Sequence, residues 1–427
     1  MMKLNNRIAK NALVYIGGGG LAGLVSYLLM PVLTRYLSPA DYGVVYMFMA
    51  LVMFFVSVIG LQADTYFARY YFEFEKAVFA EHMGGILKVI LFSMIIILGL
   101  VLILKNQLVL VLSVNGNLIV LSVIIASASF IGIFILRYYQ LEGKAVQYIY
   151  ITVAMSLIGL IISLVLVVYL HLGWKGRLIG VIIPIIFQAV ASVFILYKNG
   201  LIKFEFNYKH MKDIILFGWP LVLGSIGGWV INMADKLFIA KMVSMAATGI
   251  YGIGASMGTI MAIIVDSCAR AWVPYFFKNI RDDSDEKNLR IVKFTYLYAF
   301  SVIVMSFVVT CAAYIFIRYF LAKRFQASFN YVIWISLGQG IAGIRSIFIY
   351  YLIYKNKNYV LSYIIIITSI INIIMNYSLI KLYGPMGAAY TVFLTSIIAT
   401  ILTIGAGVYF HKMPWLYFIE NDNLSPA

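Results

Sequence analysis

Twelve apolar stretches of spanning length run through this chain from end to end, with little between them. In the first half they are Asn11–Leu33, Tyr42–Ala63, Gly84–Leu104, Leu118–Leu136, Tyr148–Leu170 and Leu178–Tyr197. In the second half they are Ile214–Ala234, Gly249–Trp272, Phe294–Ile317, Val332–Tyr354, Val360–Ile380 and Met386–His411. A bilayer core takes about 20 apolar residues per helix. Lipid offers no water to exposed backbone groups, so such runs must be helical. The pattern predicts an all-α integral membrane protein with about 12 transmembrane helices. An even number of spans puts both termini on one side of the bilayer.

Composition agrees. The chain is 63% hydrophobic and only 11% charged, whereas a soluble domain carries roughly 25% charged residues. The net charge of +16 does not point to nucleic acid, because the basic residues are scattered at helix ends rather than gathered in a stripe. With the N-terminus inside, the cytoplasmic face holds roughly twice the Lys and Arg of the outer face, the direction of the positive-inside rule. The main internal groups are Lys198, Lys203, Lys209 and Lys212, then Lys278, Arg281, Lys287, Arg290 and Lys293. Lys3, Arg7 and Lys10 precede a run of spanning length with no small-residue cleavage site, so no cleavable signal is expected. Cys268 and Cys311 read as small buried apolar residues. His82, His171, His210 and His411 are far apart near loops and offer no metal-ligand spacing.

The two halves echo each other. At an offset of 206 positions, Arg35–Gly43 aligns without a gap on Lys241–Gly249, and Thr65–Tyr71 on Ala271–Phe277. A near-equal offset brings Gly173-Trp174-Lys175-Gly176 onto Gly384-Pro385-Met386-Gly387. Shared order and offset point to duplication, with lobes over 1–205 and 206–427. Six helices per lobe make both lobes start on the same side. The repeat is therefore parallel, with its pseudo-two-fold axis along the membrane normal, and the substrate path lies between the halves. Lys198–Lys212 is the cytoplasmic linker, and Lys278–Lys293 a solvated loop of mixed charge.

A family resemblance rests on Pro31, Arg35, Leu37-Ser38 and Asp41-Tyr42-Gly43 at the first hairpin. In the second half it rests on Phe217-Gly218-Trp219-Pro220-Leu221, Trp229, Asn232, Ala234-Asp235-Lys236, Gly249-Ile250-Tyr251 and the turn Gly384-x-x-Gly387-Ala388-Ala389. In these residues the chain resembles the Wzx-type polysaccharide (O-antigen) flippases. They belong to the superfamily that also holds multidrug extruders and peptidoglycan-precursor flippases. The resemblance implies two six-helix bundles in a V around a central cavity. It also implies a substrate, an oligosaccharide on undecaprenyl pyrophosphate moved from the cytoplasmic to the outer leaflet of the bacterial inner membrane. Polymerase and glycosyltransferases of the same pathway would be partners, alongside membrane lipids.

Charges within spans cost at least about 2.5–3.5 kcal/mol on insertion scales and therefore point to function. Arg345 lies nine residues from the cytoplasmic end of its stretch, roughly 13 Å deep. It is suited to a pyrophosphate or acidic sugar, against a structural ion pair. Asp266 and Arg270 are four apart on one helix face in the favourable order, and either neutralise each other or line the cleft. Asp64 is the repeat counterpart of Arg270, which suggests a gate between the two. Asp235-Lys236 is expected at the outer end of its helix with Lys236 snorkelling, and with Arg35 it is a candidate gate or interface. Arg69, Arg137 and Arg318 read as headgroup anchors and Lys88 as a snorkelling lysine. The clusters Tyr66–Tyr71 and Tyr350-Tyr351 suit an interfacial aromatic belt. Gly17-Gly18-Gly19-Gly20 permits close packing or bending of the first helix. Pro184 and Pro220 mark kinks or breaks.

Rival readings are separable. A multidrug antiporter of the same fold should carry mainly acidic residues in its cavity, whereas the deep charges here are mixed. Lipid II flippases commonly have extra helices. A membrane glycosyltransferase or polymerase would need paired carboxylates and a large outer loop, which are not apparent, nor is a P-loop. The chain therefore reads as no enzyme and as needing no cofactor or metal. A proton or sodium coupling ion, and a membrane scaffold, remain open.

Overall fold

The computed structural model describes residues 23, 25, 27–205, 207–280, 284–411 and 413–415, with only the backbone of Ala271. Among the described residues there are helices and no strands. Eleven helical segments among the described residues are long and apolar enough to cross a membrane. They coincide with the second to twelfth expected spans. Most of the first span and the tetraglycine run lie outside the described residues.

Helices α1 (Pro39–Ile59), α2 (Ala63–Tyr70), α3 (Lys76–Ile103) and α4 (Lys105–Leu112) are followed by α5 (Gly116–Leu141), α6 (Ala145–Leu164) and α7 (Gly173–Lys198). Then come α8 (Tyr208–Met242), α9 (Met245–Gly258), α10 (Ile260–Ile280), α11 (Asp285–Phe320), α12 (Phe329–Tyr354), α13 (Asn358–Tyr383) and α14 (Pro385–Phe410). The chain forms two compact units. Unit 1 is Met1–Gly252 with Phe320–Phe325, and unit 2 is Ile253–Tyr319 with Gln326–Ala427. This division follows packing rather than sequence repeat, so the 205/206 boundary remains an expectation. By packing, α8 belongs to unit 1, where it lies against α1 and α3.

Unit 1 is built on one large apolar core that includes Phe48, Phe55, Phe67, Ile119, Phe130 and Phe134. The motif at the first hairpin is a helix cap. Ser38 Oγ accepts from the Asp41 N–H at 3.1 Å, and Asp41 Oδ2 accepts from the Ser38 N–H at 2.8 Å. With Pro39 in the first turn, this capping box fixes where α1 begins. Gly43 explains the next position. A Cβ there would lie 1.9 Å from the Met245 carbonyl oxygen, and a Cβ on Gly249 would lie 1.9 Å from the Pro39 carbonyl oxygen. Under the 206 offset Pro39 maps to Met245 and Gly43 to Gly249. The contact is thus reciprocal, the signature of a local two-fold relation between repeats.

Several boundaries differ from expectation. The second span ends at Ile59 rather than Ala63, because Leu61 and Gln62 adopt left-handed backbone conformations (φ 44° and 52°). Gln62 then donates to Ser225 Oγ at 2.6 Å. The charged residues from Asp285 to Lys293, expected in a loop, form the first turns of α11, while Arg281–Asp283 lie outside the described residues. Cys268 and Cys311 are exposed rather than buried.

In unit 2, α12 packs on α10 and α14, and α13 on α14. An aromatic core joins Phe276, Phe348 and Tyr351, with Trp272, Tyr350 and Trp415 against it. Tyr66, Phe67 and Tyr351 are buried, so these rings are core rather than an interfacial belt.

Candidate functional site

In unit 2, α10, α11 and α12 converge where Gly343 meets Val265 and the Tyr298 hydroxyl. Arg345 follows two residues later on α12 and is half-buried. Its Nε is buried and has no hydrogen-bond partner. Among the described residues no carboxylate lies within ion-pair distance of it. Asp266 and Arg270 are both exposed on α10, and the i,i+4 pair expected between them is not formed. Asp266 lies within electrostatic range of Tyr298 and Tyr350. Unit 2 thus carries Arg345, Arg270 and Asp266 on spanning helices with no ion pair between them among the described residues, and Asp266 within electrostatic range of two phenols.

Unit 1 treats its charges otherwise. Arg137 Nη2 donates to Asp64 Oδ2 at 2.8 Å. Arg137 is therefore the carboxylate's partner within this unit, not a headgroup anchor. Asp235 and Lys236 are 4% and 8% exposed, which rules out snorkelling. Lys236 Nζ donates to Asp235 Oδ1 at 3.1 Å, and the Tyr251 hydroxyl donates to Asp235 Oδ2 at 2.6 Å. The pair is internal because α9 follows α8 closely and covers it with Tyr251. The Arg35 side chain is exposed, and its carbonyl accepts from Arg324 Nη2 at 2.8 Å. Arg324 also donates to the Thr34 carbonyl at 2.9 Å, closing helical carbonyls that would otherwise lack partners.

Four features escaped the sequence reading. Lys88 binds the linker carbonyls of Phe204 and Glu205 rather than snorkelling. The His82 and His210 rings stack at 3.8 Å despite their distance in sequence. Arg69 lies over the Tyr70 and Phe217 rings. Arg177, placed outside the sixth span by its hydropathy, is part of α7 and donates to Ser163 Oγ at 2.8 Å. Contacts between residues this far apart carry no local signal. Arg69 had one, since Tyr70 is its neighbour, and so had Arg177, at i+4 from the glycine that opens α7. Among the described residues no group of three or more metal-capable side chains forms.

Comparison with known proteins gives this arrangement a family. A profile described as polysaccharide biosynthesis protein matches residues 8–280, well over half of the chain. An uncharacterized membrane protein of Haemophilus influenzae is 23% identical over 382 residues, covering 85% of this chain and 88% of the relative. The fold is shared with an inward-facing multidrug resistance transporter of the MATE family, from the MOP superfamily, at a TM-score of 0.64, 13% identity and coverage of 97% and 96%. It is shared equally with the lipid II flippase MurJ in an inward closed conformation, at a TM-score of 0.63, 16% identity and coverage of 92% and 87%. The expected all-α membrane fold and the resemblance to Wzx-type proteins are borne out. This multi-pass membrane protein belongs to the polysaccharide biosynthesis protein family.

Proposed function

We propose that the chain is a flippase that moves an undecaprenyl-pyrophosphate-linked oligosaccharide from the cytoplasmic to the outer leaflet of the bacterial cytoplasmic membrane. The O-antigen repeat unit is the first-choice cargo. The observation that carries the reading is Arg345, half-buried on a spanning helix with a buried, unpartnered Nε. A guanidinium binds phosphate oxygens through paired donors. An arginine with no internal carboxylate gains its counter-charge when an anionic headgroup arrives. Arg270 is a second cation for the same headgroup, and Asp266 faces the sugar hydroxyls as an acceptor. Both termini are cytoplasmic in this reading, and glycosyltransferases and a polymerase act before and after transport. Movement is by alternating access, with or without a coupled proton or sodium ion.

Asp266, exposed and without an ion pair among the described residues, favours a second reading, an ion-coupled multidrug antiporter of the same fold. One experiment separates them. Purified protein is placed in proteoliposomes with a short-chain pyrophosphate-linked oligosaccharide, and outer-leaflet exposure is followed by periodate oxidation. The flippase reading expects transfer that Arg345→Gln abolishes. No transfer of the glycolipid, together with gradient-driven export of a cationic dye that Asp266→Asn abolishes, would establish the antiporter instead.

A further inference from the structure

A cavity of about 250 Å³ opens inside unit 1 between α6 and α7. Its lining includes Thr152 and Ser156 from α6, and Arg177, Gly180, Pro184 and Gln188 from α7. Arg177 is the charged member of this lining. One of the five N–H donors of a guanidinium goes to Ser163 Oγ, which is fully buried. Among the described residues no carboxylate pairs with it. The ionisable groups acting on it are the phenols Tyr42 and Tyr46, not acids. Tyr42 is 5% exposed, and its hydroxyl is buried without a hydrogen-bond partner.

The backbone around this cation is irregular in ways that cost stability and expose acceptors. Pro184 has no N–H, so the Gly180 carbonyl loses its usual helical donor. The α6–α7 crossing is tight, since a Cβ on Gly180 would sit 2.1 Å from Ser163 Oγ, and one on Gly159 would sit 2.8 Å from the Gly180 carbonyl oxygen. Immediately after α6 the chain widens into a π turn over Val165–Tyr169, a feature that gathers at functional sites. Thr152 and Ser156 spend their O–H donors on carbonyls of their own helix at 2.8 and 2.9 Å. Gln188 spends an N–H on the Gly132 carbonyl at 2.9 Å. What the two hydroxyls have left to offer is oxygen, and Gln188 keeps its amide oxygen beside one N–H. The cavity therefore presents one guanidinium beside several acceptors: a site for an anion with hydroxyl groups next to it.

We propose that this α6–α7 cavity binds an oxyanion flanked by hydroxyl groups, with Arg177 holding the anion and Thr152, Ser156 and Gln188 accepting from the hydroxyls. Two sources supply that chemistry, an acidic sugar and the headgroup of phosphatidylglycerol. An uncompensated charge in a spanning helix is costly, and a bound oxyanion removes the cost. Ser163 is a positioning residue that keeps the guanidinium turned into the cavity. The site does not rest on the flippase reading, which stands on Arg345 in unit 2.

The test is thermal unfolding of the full chain in phosphatidylcholine nanodiscs. Glucuronate is titrated in one arm, phosphatidylglycerol replaces part of the lipid in a second, and glucose is the neutral control. At least one anionic arm should raise the melting temperature while glucose leaves it unchanged. Arg177→Gln should weaken the effect roughly tenfold or more, as loss of a hydrogen bond to a charged group predicts. Arg177→Lys keeps the charge and should retain a weaker response, which guards against a Gln variant that fails to fold. A response to glucuronate identifies a glycan subsite, and a response to phosphatidylglycerol alone identifies a lipid site. No shift in either arm, or a shift undiminished in both variants, would overturn the proposal.

Discussion

In unit 1 the carboxylates implicated by sequence are held by protein cations and hydroxyls: Asp64 by Arg137, and Asp235 by Lys236 and Tyr251. In unit 2 the charges stand open, with Asp266 and Arg270 unpaired on α10 and Arg345 without an ion-pair partner among the described residues. Both arrangements interrupt apolar helices with charge, and hydropathy cannot tell them apart. Their energetics differ. A closed pair restores much of the Coulomb energy lost on leaving water, so removing one member strands the other. An open charge in a spanning helix has no internal compensation, so its removal should relieve the fold and damage whatever the charge binds.

The largest effect is therefore expected at the most buried pair. Lys236→Met leaves Asp235 without its cation and should destabilise unit 1 by about 3–5 kcal/mol, read as a lower melting temperature in detergent. Adding Asp235→Asn should recover most of the loss, and no recovery would mean that the two charges do not support each other. Arg345→Gln should behave in the opposite manner. Transport of the lipid-linked glycan should fall at least about tenfold, an effect of about 1.4 kcal/mol, while the melting temperature stays level or rises. A drop in stability matching that of Lys236→Met would erase the distinction between the units. Asp64→Asn should cost only about 1 kcal/mol, because Arg137 is 41% exposed at its side chain.

The smallest effect lies outside the spans. Glu142 accepts from the Tyr71 hydroxyl at 2.6 Å and pairs with Lys144 at 3.2 Å. The Tyr71 hydrogen bond, followed by Lys144, holds its carboxyl below the usual value. The contribution is then complete above the pKa of the unfolded chain and fades as pH falls through the lower folded value. The melting-temperature difference between the wild type and Tyr71→Phe should be present at neutral pH and vanish in acid. A difference that is constant with pH would assign it to ring packing alone.

Sequence reading reached the spans because each is set by one local quantity, apolar length. It missed the start of α1 by three residues because it followed hydropathy, although Ser38, Pro39 and Asp41 carry a local start signal. It failed where a polar segment continues a helix, as from Lys76 to Met83 at the start of α3 and from Asp285 in α11. It also failed where Gln62 turns left-handed inside an apolar run. At the site, the candidate charges could be named but not their partners. Asp64 and Arg137 stand far apart in the chain, and Tyr251 reaches Asp235 from the next helix. Arg177 was missed because Lys175 beside it lowers the hydropathy of a segment that is helical nonetheless.

The reciprocal contact at Gly43 and Gly249 bears on the history of such a chain. After a gene duplicates, its copies are ordinarily free to drift apart. Where one copy's backbone is the ceiling of the other's, neither can acquire a side chain without striking its twin. That spot should keep both halves recognisable after the rest of their sequences have parted.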